Sequence, residues 1–215
     1  MTAKEFSQRL SRRAKRVGLV LPSNLAEKLR LYFELLFRWN EKINLTSLDL
    51  GSPDEAIDRL LIEPLLASRY IEREGPRLID VGSGGGSPAI PLALAKPGVA
   101  LVMVESKARK CAFLREALRH LGLEGLVESA RFEELLARTD FHEAFDYLSL
   151  RAVRTDLRTL NTLQAFVKPD GRLLLFKAAG RSMQTAEVVP PLRWLESIPL
   201  RQGSELQLLE KRRIP

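Results

Sequence analysis

Leu78-Ile79-Asp80-Val81-Gly82-Ser83-Gly84-Gly85-Gly86-Ser87-Pro88, followed by Ala89-Ile90-Pro91-Leu92-Ala93-Leu94-Ala95, decides how this chain folds. A short aliphatic run ends in a carboxylate and opens on glycines, and an apolar stretch able to start a helix follows. Glycine allows the sharp strand-to-helix turn, and with no Cβ it lets a ligand come close to the backbone. The stretch therefore predicts a ligand-binding βα turn at the edge of an α/β sheet.

The spacing narrows the ligand. Counted from Gly82, the third glycine of a Gly-x-Gly-x-x-Gly dinucleotide fingerprint would fall at Ser87, so the pattern present is Gly-x-Gly-x-Gly. The next aliphatic run ends at Glu105, twenty-three residues beyond Gly82, where a carboxylate can accept bonds from both hydroxyls of a ribose. A nucleoside cofactor follows from that pairing. Asp80 sits where strand gives way to loop and can orient loop amides or, through water, a cofactor ammonium group, which NAD lacks. S-adenosylmethionine is thus the expected cofactor, and a non-binding βα turn is the bland alternative.

Outward from the loop, short apolar runs alternate with helical patterns. Strands are expected over Arg77–Val81, Val99–Glu105, Leu126–Phe132, Phe145–Leu150 and Gly171–Lys177, an alternation that implies a parallel sheet covered on both faces. The tail departs from it: Leu192–Leu200 and Glu205–Arg212 read as two strands joined around Arg201, Gln202 and Gly203. A parallel sheet ending in an antiparallel hairpin resembles the Rossmann-like, seven-stranded methyltransferase core. Residues 1–75 read as a helical segment packed on a core domain of residues 76–215. Within it Phe6, Leu10 and Val17 share one face of a first helix. Ser23 is placed to cap a second, whose Leu25, Leu29, Tyr32, Leu36 and Trp39 form an apolar stripe, and a third runs from Pro53 toward Tyr70.

Composition limits the partners. The formal charge is +7, and the first twenty residues carry six basic side chains against the single acid Glu5, which points to an anionic partner, nucleic acid first. No apolar run approaches the roughly 20 residues that span a bilayer. The lone Cys111 excludes an internal disulfide and suits a reducing cytoplasm. His120 and His142 are too few and too poorly accompanied for a metal centre or a Ser-His-Asp arrangement, so no metal is expected, and the chain is read as a monomer.

The chain resembles the RsmG (GidB) family of small-subunit ribosomal RNA guanine-N7 methyltransferases. The residues that carry this are Trp39-Asn40, Asn44-Leu45-Thr46, Asp80 to Gly84 with Pro88 and Ile90-Pro91, Arg109-Lys110, Phe113-Leu114-Arg115, Glu133-Glu134, Phe145-Asp146, Arg151-Ala152 and Lys177. By resemblance, Gly82 and Ser87 line the methionine side of the cofactor, Phe132-Glu133 lie by the adenine, and Arg151 stands at the mouth of the pocket. Three places depart from the family pattern: Leu60 follows Arg59 and Glu63-Pro64 stand where an acid and a serine are usual, Glu105 replaces Asp, and Ala89 replaces Gly.

The chemistry asks little of the protein. Guanine N7 carries a lone pair in the neutral base, so no general base is needed and the lack of a His/Cys constellation is expected. A donor to guanine O6 would help, and Arg151 and Lys177, at strand ends, are the candidates, against a reading as ordinary surface cations. The expected cofactor set is Asp80, Gly82, Gly84, Gly86, Ser87, Glu105, Phe132, Glu133 and Arg151. Arg12, Arg13 and Arg16 with Arg109 and Lys110 are a possible phosphate track, or solvated helix faces. Trp39, Phe113 and Leu114 read as core. A methyltransferase of another RNA or of a small molecule, and a non-catalytic RNA-binding protein with a retained cofactor fold, remain open; an NAD oxidoreductase fits least.

Overall fold

Strand β1 (Arg77–Val81) buries Leu78 on one face of the sheet and Ile79 and Val81 on the other; β2 (Ala100–Val104) does the same with Leu101 and Met103 against Val102 and Val104. Period-two alternation with both faces apolar requires a layer on each side. In the computed structural model, which describes residues 2–152, 156–178, 188, 190–201 and 203–213, both layers are present. The remaining strands are β3 (Gly125–Glu128), β4 (Phe145–Arg151), β5 (Val167–Ala178), β6 (Leu192–Pro199) and β7 (Ser204–Lys211).

The sheet order is β3-β2-β1-β4-β5-β7-β6. β3, β2, β1, β4 and β5 run parallel, and β7 pairs antiparallel with both β5 and β6. The order reverses between β1 and β4, so the crevice beyond their carboxyl ends is where such a sheet binds ligands. The terminal hairpin matches its expected place, with Gln202 of its turn outside the described residues. The third strand stops at Glu128, short of the expected Phe132: its continuation turns away as a 3₁₀ segment, Phe132–Ala137, that carries Phe132 toward the crevice.

Helix α1 (Ala3–Arg16) opens with a capping box between Thr2 and Glu5 and buries Phe6, Leu10 and Ala14 at helical spacing. α2 (Ser23–Asn40) buries Leu29, Tyr32, Phe33, Leu35 and Leu36. Ser23 does not cap it; Pro22 occupies the cap, and Ser23 is the first helical residue. α5 (Ala89–Ala95) follows the glycine loop, α6 (Ala108–Leu121) ends on left-handed Gly122, and α7 (Leu157–Leu163) covers the opposite face. One apolar cluster joins α1, α2, α5 and α6 to the sheet. Trp39 packs edge-on against Phe113, ring centroids 5.8 Å apart, and Cys111 is buried, both as packing residues.

The expected third helix is broken into α3 (Pro53–Ile57), a π-helical turn (Asp58–Ile62), α4 (Glu63–Ala67) and a 3₁₀ turn (Ser68–Tyr70). Pro64 explains the break. The Glu63 amide reaches back to the Asp58 carbonyl, and Pro64 has no N–H to offer either Leu60 in an α register or Arg59 in a π register. Both carbonyls are therefore open to side chains from elsewhere. No helix among the described residues is long and apolar enough to cross a membrane.

Candidate active site

The glycine loop is held from below. Its Gly82 and Ser83 amides both donate to the Val104 carbonyl, at 2.9 and 3.1 Å, and the Gly84 amide donates to Glu105 Oε2 at 3.0 Å. These bonds orient the loop amides, which was one of the two roles expected of Asp80. Positive φ angles at Gly82, Gly84 and Gly86 make the turn a glycine turn. Gly86 is glycine for packing: a Cβ there would lie 2.6 Å from Ile90 Cδ1, inside the protein and away from the ligand face.

α2 props the loop from the side. Tyr32, fully buried, donates its hydroxyl to the Gly85 carbonyl at 2.6 Å, and burial pushes its pKa up. Asn40 Oδ1 accepts from the Leu45 and Thr46 amides, fixing a segment whose Leu45 carbonyl lies against Gly85. Tyr32 was read only as core; the signal that marks it is a phenol inside an apolar stripe, because a buried hydroxyl needs a partner.

Glu105, 7% exposed, directly follows β2 and lines a crevice of about 220 Å³ together with Val81, Gly82, Val104, Ser106, Ala130, Arg131, Phe132 and Glu133. Its Oε1 accepts from the Lys107 amide at 2.9 Å, so each carboxylate oxygen holds one backbone bond and keeps a free lone pair. Phe132, half-buried, and exposed Glu133 form the far wall. Larger hollows of about 650 and 860 Å³ lie at the amino ends of β1 and β2 and along α1, away from Asp80 and Glu105.

Asp80 is buried one residue before the crevice-lining Val81 and is not itself part of the lining. Its Oδ1 accepts from the Ser149 hydroxyl at 2.5 Å, and Oδ2 has no hydrogen-bond partner. Burial outweighs the hydrogen bonding and raises its pKa to about 6. A buried carboxylate with an orphan oxygen calls for a cationic ligand group. The residues present thus have the chemistry to receive a nucleoside ligand that carries a cationic group.

On the other side of the crevice the structure departs from the expectation for Arg151. Its side chain is only 13% exposed, and its guanidinium donates to the Arg59 carbonyl and to Glu63 Oε2 (3.0 Å) and stacks 4.5 Å from the Phe176 ring centroid. Both terminal nitrogens are thus engaged, while its buried Nε has no hydrogen-bond partner. Burial lowers its pKa to about 10, and burial likewise raises that of Glu63, which also accepts from the Ser204 hydroxyl. Ser87 is equally turned toward the broken helix, its hydroxyl donating to the Leu60 carbonyl at 2.9 Å. Lys177 stands half-buried near the end of β5, its pKa lowered by burial.

The basic residues divide. Arg13 is taken up by Asp54 (2.6 Å) and buried Asp58 (2.5 Å), and Arg9 by Asp54, which removes Arg13 from the expected track. Arg12, Arg16 and Arg109 are exposed, and Lys110 leans over the loop, its Nζ 3.9 Å from where a Cβ on Gly84 would be. Arg12 and Arg16 stand outside the crevice lining. Among the described residues no group of His, Cys, Asp and Glu could hold a metal ion.

A family model for GidB, rRNA small subunit methyltransferase G, matches residues 25–189. The ribosomal RNA small subunit methyltransferase G of Syntrophotalea carbinolica is 30% identical over 220 residues, covering 98% of this chain and 99% of that protein. Those of Sorangium cellulosum (33% over 184 residues, 85% and 74% covered) and Xanthomonas campestris pv. campestris (37% over 158 residues, 73% and 71% covered) are similar too. Among solved structures, mitomycin 7-O-methyltransferase MmcR superposes with a TM-score of 0.59 at 18% identity, covering 87% of this chain and 66% of that one. A MtNAS variant in complex with S-adenosylmethionine gives 0.58 at 15%, covering 86% and 75%. At such identities these two speak for the Rossmann-like methyltransferase fold alone.

Proposed function

Because this chain belongs to the GidB family of rRNA small subunit methyltransferases, we propose that it moves a methyl group from S-adenosylmethionine to N7 of a guanine in 16S ribosomal RNA, in the cytoplasm where ribosomal subunits are built. The observation that carries the cofactor half is the pairing of Glu105 and orphaned Asp80 Oδ2 across one glycine turn at the reversal of the sheet order.

When bound, S-adenosylmethionine supplies an electrophilic methyl on sulfur together with its own leaving group. The chain's task is to hold and aim. Glu105 offers one lone pair per oxygen to the ribose hydroxyls, Phe132 a flat apolar edge to the adenine, and Asp80 a buried anion to the ammonium. The loop amides of Gly82, Ser83 and Gly84 are already bonded, so the turn keeps its shape without a ligand. Such preorganisation lowers the ordering cost of binding. No residue has to take a proton before attack, since N7 presents its lone pair in the neutral base. His120 and His142 lie outside the crevice lining, in keeping with this chemistry. Exposed Arg12, Arg16 and Arg109, and Lys110 over the loop, supply the positive field for phosphate.

The test uses small subunits from cells lacking the modification. With isotopically labelled S-adenosylmethionine, one guanine of 16S RNA should acquire the label, mapped by mass spectrometry; label on protein alone, or on another nucleotide, would overturn the proposal.

A further inference from the structure

The crevice between the carboxyl ends of β1 and β4 is spanned by two residues of the broken helix. On the β1 side Ser87 bonds the Leu60 carbonyl, and on the β4 side Arg151 bonds the Arg59 carbonyl. Pro64, lacking an N–H, is what leaves both carbonyls open. Residues 59 and 60 are therefore tied to the segments that follow β1 and end β4, where the order of the sheet reverses.

Two cations stand there. Arg151 has spent its terminal nitrogens on Arg59 and Glu63 and lies against Phe176; turning it toward a purine would leave Glu63, 1% exposed, without its 3.0 Å partner. Arg59 is in the opposite condition. Its side chain is 26% exposed, and its guanidinium meets Glu63 Oε1 only at 3.7 Å and makes no hydrogen bond among the described residues. Its fork of N–H groups is unspent.

Resting on the reaction proposed above, we infer that Arg59 is the substrate-contacting donor to O6 of the target guanine, with Glu63 and Arg151 as positioning residues that aim it. Guanine presents O6 and N7 as adjacent acceptors on one edge, which suits a guanidinium, whereas adenine carries an amino donor at the place of O6. Because N7 has to stay open for the methyl group, Arg59 bonds O6 alone, and that bond selects guanine over adenine. Glu63 is held by Arg151 and Ser204, so its carboxylate is a fixed anchor on which the Arg59 head pivots. Proline at 64 and glutamate at 63 thus work together: one opens the carbonyls that tether the bridge, the other sets the direction of its exposed cation.

The experiment compares the full chain with Arg59→Ala and Arg59→Lys on small-subunit RNA carrying either guanine or 2-aminopurine, which keeps N7 and lacks O6, at the mapped position. Arg59→Ala should lower kcat on the guanine RNA by about a hundredfold, the size found for removing one donor aimed at a reacting group. KM for RNA and the thermal shift given by S-adenosylmethionine should stay unchanged, and Arg59→Lys should recover part of the rate. On the 2-aminopurine RNA the unaltered protein should already be slow and Arg59→Ala no slower. Equal loss on both RNAs, a lost thermal shift, or full activity of Arg59→Ala would overturn the assignment. No transfer by the unaltered protein to any guanine would overturn the reaction itself, and this inference with it.

Discussion

Burial lifts the Asp80 carboxyl to about 6, so near neutral pH the folded chain carries an anion that the unfolded chain would hold in water at a lower pKa. Two consequences run in opposite directions as pH falls. The folded form binds this proton more tightly than the unfolded one, so ionisation of Asp80 costs stability above about pH 6 and costs nothing below its unfolded value. Protonation at the same time removes the charge that the cofactor ammonium needs. Calorimetry from pH 8 to 5 should show affinity for S-adenosylmethionine falling about tenfold per unit below pH 6, and Asp80→Asn should bind weakly with no such dependence. The urea midpoint of Asp80→Asn should exceed that of the unaltered chain at pH 8, with the gap closing toward pH 4. At Arg151 the first effect is on the fold: Arg151→Ala strands Glu63 as a buried carboxylate and should cost about 3 kcal/mol in urea unfolding, a typical figure for breaking a buried pair. The placement of Asp80 and Glu105 around the glycine turn was legible because each stands where an aliphatic strand run gives way to a loop. The Arg151–Glu63 pair was not, since it joins residues 88 apart in the chain and nothing in linear spacing announces a partner that distant.

Among the elements, strands β1, β2, β4 and β5 announce themselves as aliphatic runs bounded by turn residues, whereas the end of β3 does not. Ala130 and Phe132 extend its apolar pattern, yet they serve the crevice wall, and apolar residues look alike whether they meet a sheet or a ligand. The π turn is hidden for a similar reason. Leu60, Leu61 and Ile62 are all buried, so a helical pattern passes through the turn without a fault; Pro64 is the one mark of it. α2 is more than a cover, because its Tyr32 reaches the loop backbone. Tyr32→Phe should cost about 1 kcal/mol in thermal unfolding, the worth of one net hydrogen bond, and should loosen the loop enough to weaken S-adenosylmethionine binding severalfold. A variant that binds as tightly as before would show that the loop stands without this prop.

For the whole molecule, net charge alone misleads. Of the arginines crowded on α1, Arg9 and Arg13 are held by Asp54 and Asp58 and stitch the helix to the core, while Arg12 and Arg16 face outward. Replacing Arg12 and Arg16 together with alanine should therefore reduce the slope of log affinity against log salt for small-subunit RNA by about 1.5 to 2, as loss of two phosphate contacts requires, with cofactor affinity untouched. An unchanged slope would remove α1 from the RNA interface. The ties that cross the molecule also set a timetable. Asp58 takes Arg201 as a partner and Glu63 takes Ser204, pairs 143 and 141 residues apart along the chain. A ribosome adding on the order of 10 residues per second makes both acids some ten seconds or more before either partner exists. Until the closing hairpin has been translated, Glu63 lacks its Ser204 donor and Asp58 its Arg201 cation, so the packing around these two acids is completed only after β7 is made.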